Sequence, residues 1–151
     1  MAGLYFEQFT VGQKFVHEIR KTVTEADNLL FCALTYNPAA IHIDYDYCER
    51  ETDYGKPLVN SIYTLGLMVG LTVQDTTLGT TIANLGWDEV TFPKPVFLGD
   101  TLRAETEVVE LRDSKSRSDC GIVTFRQIAI NQRNEVVASC KRAALMKRKP
   151  A

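Results

Sequence analysis

The chain has 151 residues, 45% hydrophobic and 24% charged, the size and composition of one globular domain over residues 1–151. At that length roughly 68–70% of the unfolded surface is buried on folding, so a core forms without metal or disulfide staples. Seventeen basic against 19 acidic residues leave a formal charge of −2, which excludes a global field for gathering nucleic acid.

Residues 1–10 carry no basic segment and hold an acid at Glu7, so no signal peptide is expected. Residues 13–22 read as a strand. Thr24-Glu-Ala-Asp27 then looks like a helix start, a Thr N-cap with acids in the first turn. Leu29, Leu30, Ala33 and Leu34 give that helix an apolar face. It should stop near Tyr36, because Pro38 biases Asn37 away from helical backbone. Residues 41–45 alternate in polarity and read as extended, after which Asp44 caps a short polar helix through Thr52. Ser61 is the cap candidate for an apolar segment, 61–73, that holds Gly66 and Gly70 and is apolar all round. It reads as a buried central helix, far too short to span a membrane.

The second half is β-rich. Residues 80–87, 100–111, 120–131 and 136–146 read as strands, with alternation such as Leu102, Ala104, Thr106 and Val108. Residues 114–119 and 132–135 are polar connectors suited to hairpins. No Gly-rich phosphate loop or regular β-then-α alternation occurs. One buried helix followed by long antiparallel strands makes an α+β fold, with the sheet around the helix. Cys32, Cys48, Cys120 and Cys140 have no zinc-type spacing. They are expected to be reduced, buried thiols of a cytoplasmic protein.

Three clusters are candidates for chemistry. In Asn37-Pro-Ala-Ala-Ile-His42-Ile-Asp44, an extended run would project His42 and Asp44 to one side and the isoleucines to the other. His42 then suits general acid/base work near neutrality, though a half-buried core histidine and an N-capping Asp44 are the ordinary readings. Tyr54-Gly-Lys-Pro-Leu-Val-Asn-Ser61 runs into the apolar helix, whose unpaired N–H groups suit a developing oxyanion. An ordinary capped core helix fits the same residues. Phe92-Pro-Lys-Pro-Val-Phe-Leu-Gly-Asp-Thr101 reads as a structural turn into a strand.

In this order and spacing the three clusters resemble the MaoC-like (hydratase-2) branch of the hot-dog superfamily, over nearly the whole chain. The resemblance implies a hot-dog fold, a curved antiparallel sheet around one long helix, in a homodimer or higher homo-oligomer. It implies hydration of 2-enoyl thioesters, or dehydration of 3-hydroxyacyl thioesters, with coenzyme A as part of the substrate and no other cofactor or metal. Neither nucleic acid nor membrane is an expected partner. The family motif Asp-x-Asn-Pro-x-His, aligned on His42, places its Asp on Asn37 and its Asn on Ala39. An amide positions water but cannot serve as a general base. The resemblance thus implies His42 as acid/base, Asn37 as water orienter, Ser61 as the oxyanion N–H, and Asp44 as orienter or cap. A shifted alignment would match Asn37-Pro38 to the family's Asn-Pro, with two extra residues before His42. An amide at 37, Leu-Val-Asn-Ser and Thr-Thr-x-Ala-Asn-Leu-Gly are similar to members acting on branched dicarboxylic CoA esters of mesaconyl, itaconyl or methylmalyl type. Lys56 and Asn60 are then the candidate partners of a substrate carboxylate. Two other readings remain: an acyl-CoA thioesterase, and an inactive acyl-thioester-binding module.

Overall fold

The computed structural model describes residues 3–150. Two short strands, β1 (Lys14–Val16) and β2 (Lys21–Thr22), precede three helices, α1 (Glu25–Leu34), α2 (Ala40–Ile43) and α3 (Tyr45–Glu51). The long α4 (Ser61–Thr76) follows, and then β3 (Thr81–Thr91), β4 (Thr101–Asp113), β5 (Cys120–Ile130) and β6 (Val136–Lys147). All pairings are antiparallel, in the order β1-β4-β5-β6-β3, with β2 also on β4. The strand expected over 13–22 is interrupted after His17, whose N–H still bonds Ala104 O at 3.1 Å. Lys21 pairs next with Leu102, so two extra residues leave the ladder, and the His17 side chain points inward. Its Nδ1 lies 2.7 Å from Asp75 Oδ2 and its Nε2 2.9 Å from Thr106 Oγ1, which clamps the C-terminal turn of α4 to β4.

The strand alternation translates directly into burial: Leu102, Ala104, Thr106 and Val108 of β4 all face inward. Met68 and Leu71 of α4 pack with Leu102, Ala104, Ala129, Ala138 and Cys140 of the sheet. Burying a side chain of Met68's size fully contributes about 1.5–3 kcal/mol. A second cluster, Val108, Val123, Phe125, Ala144 and Met146, is covered by Phe9 of the N-terminal segment. The two rings Phe9 and Phe125 meet edge to face at 5.4 Å. All four cysteines are free and buried. No helix among the described residues is long and apolar enough to cross a membrane.

The Phe-Pro-x-Pro run braces the approach to α4. Val59 N–H donates to Val96 O, and Leu58 bridges Phe97. Gly99, at φ +88°, makes the turn into β4. Asp100 fixes that turn by accepting from Phe97 N–H at 3.0 Å and from the side chains of Gln132 and Arg133 at 2.7 and 2.8 Å.

Three further expectations need correction. Residues 41–43 are not extended; they form the single turn α2. The Asn37 side chain accepts from Ala39 N–H at 3.0 Å, starting the chain downward, and Asp44 N–H closes the turn on Ala40 O at 2.9 Å. A few residues of alternation fit a strand and a single helical turn alike. Ile43 is consequently exposed rather than a core anchor. In α1 the leucine stripe faces outward, with Leu30 61% and Leu34 75% exposed, and the inward positions are Asn28 and Cys32. Nor is α4 buried all round: Ile62 is 58% exposed, and open space lies beside Gly66 and Gly70.

Candidate functional site

His42 sits on α2, half-buried, with Nδ1 2.9 Å from Leu58 O. A carbonyl oxygen only accepts, so Nδ1 carries the hydrogen and Nε2 presents its lone pair. Among the described residues Nε2 has no partner. The tautomer is therefore the one a general base requires, set by backbone rather than by a carboxylate.

Leu58 leads straight into α4. The cap is Asn60, one residue earlier than expected: its Oδ1 accepts from Ile62 N–H at 2.9 Å, and its O takes Thr64 N–H at 3.1 Å. Its own N–H is bonded to Asn28 Oδ1 at 2.9 Å. With the N–H groups of Asn60, Ile62 and Thr64 engaged, those of Ser61 and Tyr63 meet no acceptor among the described residues. Both lie at the positive end of a 16-residue helix, which favours a negative oxygen there. Ser61, Thr64 and Leu58 line a groove of about 240 Å³ together with Tyr54, Phe92 and Val137. Tyr63 stands beside the helix start, but burial, helped by Asp27, pushes its phenol up to about 12. It stays protonated at neutral pH.

Asn37 lies just past α1, its N–H on Cys32 O at 2.9 Å. Its Oδ1 is taken by Ala39 N–H, which leaves the Nδ2 hydrogens to donate. The residue borders an apolar hollow of about 330 Å³ with Cys32, Ala33, Tyr36 and Pro38. Cys32 also meets the other side of the site, because Asn60 Nδ2 lies 3.9 Å from its Sγ.

The structure thus gathers His42, Ser61 and Asn60 at the head of α4, with Asn37 on the far side of Cys32. Asp44 and Lys56 stand apart. The exposed Asp44 accepts from Tyr47 N–H at 2.9 Å as the cap of α3, and its neighbour Cys48 has its thiol pushed up by burial and by that carboxylate. Lys56 rests its ammonium 4.1 Å over the Phe97 ring. Asn60 spends its amide on the cap and on Cys32, so neither residue proposed for a substrate carboxylate is unengaged. Sequence reasoning missed Asn28, which reaches His42, Leu58 and Asn60 at once. Its one signal was an amide four residues before Cys32 in a helix otherwise read for its leucines.

A family model, the MaoC like domain, matches residues 6–130. The curated mesaconyl-CoA hydratase of Cereibacter sphaeroides is 33% identical over 148 residues, 98% of this chain and 42% of its own length. This chain spans about two fifths of that relative. The solved structure of a MaoC-like dehydratase from Rhodospirillum rubrum is 30% identical, with a TM-score of 0.86 over 99% of this chain and 100% of that one. A Mycobacterium tuberculosis protein described as a double hot-dog fold is 25% identical, with a TM-score of 0.87 over 98% of this chain and 45% of its own.

Proposed function

Because the chain belongs to the MaoC-like domain family, we propose that it is a hydratase/dehydratase interconverting 2-enoyl-CoA and 3-hydroxyacyl-CoA thioesters. The observation that carries this reading is His42, its Nδ1–H fixed on Leu58 O, three residues before the open N–H of Ser61, and its Nε2 unengaged among the described residues. In the hydration direction Nε2 takes a proton from water as the water oxygen bonds to the β-carbon. The π electrons move toward the thioester oxygen, which the Ser61 N–H holds, and His42 then returns the proton to the α-carbon. Water is consumed, the thioester stays intact, and no cofactor beyond coenzyme A is asked for. Asn37 borders the separate hollow beside Cys32, and its proposed part is to donate from Nδ2 to water entering from that side. A positioned acid/base contributes about 10²–10⁴-fold, and one oxyanion donor about 10²–10³-fold.

The likeness to mesaconyl-CoA hydratase supports a branched C5 dicarboxylic acyl group. The proposed working unit is a homodimer formed through β3, which has β6 on one side and no strand on the other among the described residues. Leu85, Trp87, Val90 and Phe92 are exposed on or beside that edge strand, and the relative with a double hot-dog fold supports a pair of such domains as the unit. A cytoplasmic location belongs to the same proposal, and the free, buried thiols are compatible with it.

The test is incubation with crotonyl-, mesaconyl- and itaconyl-CoA while double-bond absorbance and free thiol are followed together. The reading expects absorbance to fall without thiol. Thiol release would make the protein a thioesterase, and binding without turnover an acyl-thioester-binding module.

A further inference from the structure

We infer that Asn28 is a positioning residue that holds the acid/base histidine and the oxyanion donor in fixed relation; this rests on the hydratase reading of His42 and Ser61. Asn28 is 1% exposed and stands where α1, α2 and the entry to α4 meet. Its Nδ2 donates to His42 O at 2.9 Å and to Leu58 O at 3.3 Å, and its Oδ1 accepts from Asn60 N–H at 2.9 Å. Both hydrogens of the amide and its oxygen are engaged. Flipping the amide would set its oxygen against two carbonyls and its NH₂ against an N–H, so the orientation is fixed.

Each of the three partners belongs to the reacting assembly. His42 O is the backbone of the base. Leu58 O is the acceptor that holds His42 Nδ1–H at 2.9 Å, so imidazole and Asn28 share one carbonyl. Asn60 is the residue before Ser61, and capturing its N–H anchors the peptide that immediately precedes the one carrying the Ser61 N–H. One planar amide therefore joins the backbone of the base, the acceptor that sets its tautomer, and the residue before the oxyanion donor. An apolar residue of similar size at this inward position of α1 would pack as well but leave those groups free to drift. Misplacement by about 1 Å is enough to cost on the order of 10²-fold in turnover.

The experiment uses the full chain labelled with ¹⁵N-histidine. Only His17 and His42 contribute signals, and a His42→Asn spectrum assigns them. Wild type should show His42 protonated on Nδ1. Asn28→Asp keeps the acceptor and the size but loses both donors; Asn28→Ala loses everything. In both, the His42 signals should move toward a mixture of tautomers. On the best enoyl-CoA, kcat should fall about 10- to 100-fold with KM within about threefold, because the substrate's own contacts remain. An unchanged His42 spectrum in either variant, or kcat within threefold of wild type, overturns the inference. A wild-type spectrum with the hydrogen on Nε2 overturns it whether or not the variants fold. A wild-type protein silent on every enoyl-CoA but showing the Nδ1–H form and its loss in the variants sinks the hydratase reading while supporting the positioning role.

Discussion

Replacing His42 by asparagine and by alanine separates its chemistry from its hydrogen bond. The amide nitrogen of an asparagine falls near the place of imidazole Nδ1, so His42→Asn keeps a donor for Leu58 O, now 2.9 Å from the ring, and removes Nε2. His42→Ala removes both. Loss of a positioned acid/base costs about 10²–10⁴ in turnover, or about 2.7–5.5 kcal/mol of transition-state stabilisation. Loss of the hydrogen bond costs about 1 kcal/mol of stability, which for a chain of this size lowers Tm by about 2–4 °C. Both variants should therefore lose turnover alike, while only His42→Ala melts measurably earlier. The assay is initial rate at saturating enoyl-CoA beside a thermal melt of each variant. A folded His42→Asn that turns over within threefold of wild type would refute the role of Nε2.

Asn37→Asp retains the acceptor for Ala39 N–H, so the turn survives, and it installs the carboxylate that the family motif carries. Turnover of straight-chain crotonyl-CoA should rise at least about tenfold; no rise on any substrate would show that Asn37 does not hold the base position. Trp87→Glu puts a charge on the open edge of β3, where Trp87 is 44% exposed. Light scattering should then report a monomer for the variant and a dimer for wild type, and a variant that stays dimeric would rule out pairing through β3. Burial raises the Asp100 carboxyl, but Arg133, Phe97 N–H and Gln132 together outweigh it and leave the group below its ordinary value. A depressed carboxyl contributes stability that is complete above its unfolded pKa of about 3.9 and lost as pH falls through the folded value. Asp100→Asn should flatten the acid limb of stability below about pH 4, as read by chemical denaturation; an unchanged limb would contradict it.

The sheet was legible because period-2 alternation and inward burial express the same geometry, as the β4 run from Leu102 to Val108 shows. Thr24 was legible for a local reason: its hydroxyl bonds Asp27 N–H within one turn. Misreadings arose where a local pattern has two tertiary uses. The leucines of α1 mark an apolar face, yet nothing in their spacing says whether a sheet or a second chain covers it. Asn37-Pro38 reads as a breaker, but the Asx turn that starts α2 depends on a side chain folding back on Ala39. Asn28 was out of reach because its meaning lies in contacts 14, 30 and 32 residues away along the chain. The order of the three clusters pointed to the family, whereas the geometry around His42 depends on how α1, α2 and α4 meet in the fold.

The most direct test of hydration is mass spectrometry and proton NMR of the product formed from mesaconyl- and crotonyl-CoA in D₂O. The account predicts a product heavier by one water, its thioester intact, with a hydroxyl on the β-carbon and a single solvent deuteron on the α-carbon. Free coenzyme A with an unchanged double bond, or no product at all from a folded protein, would contradict it.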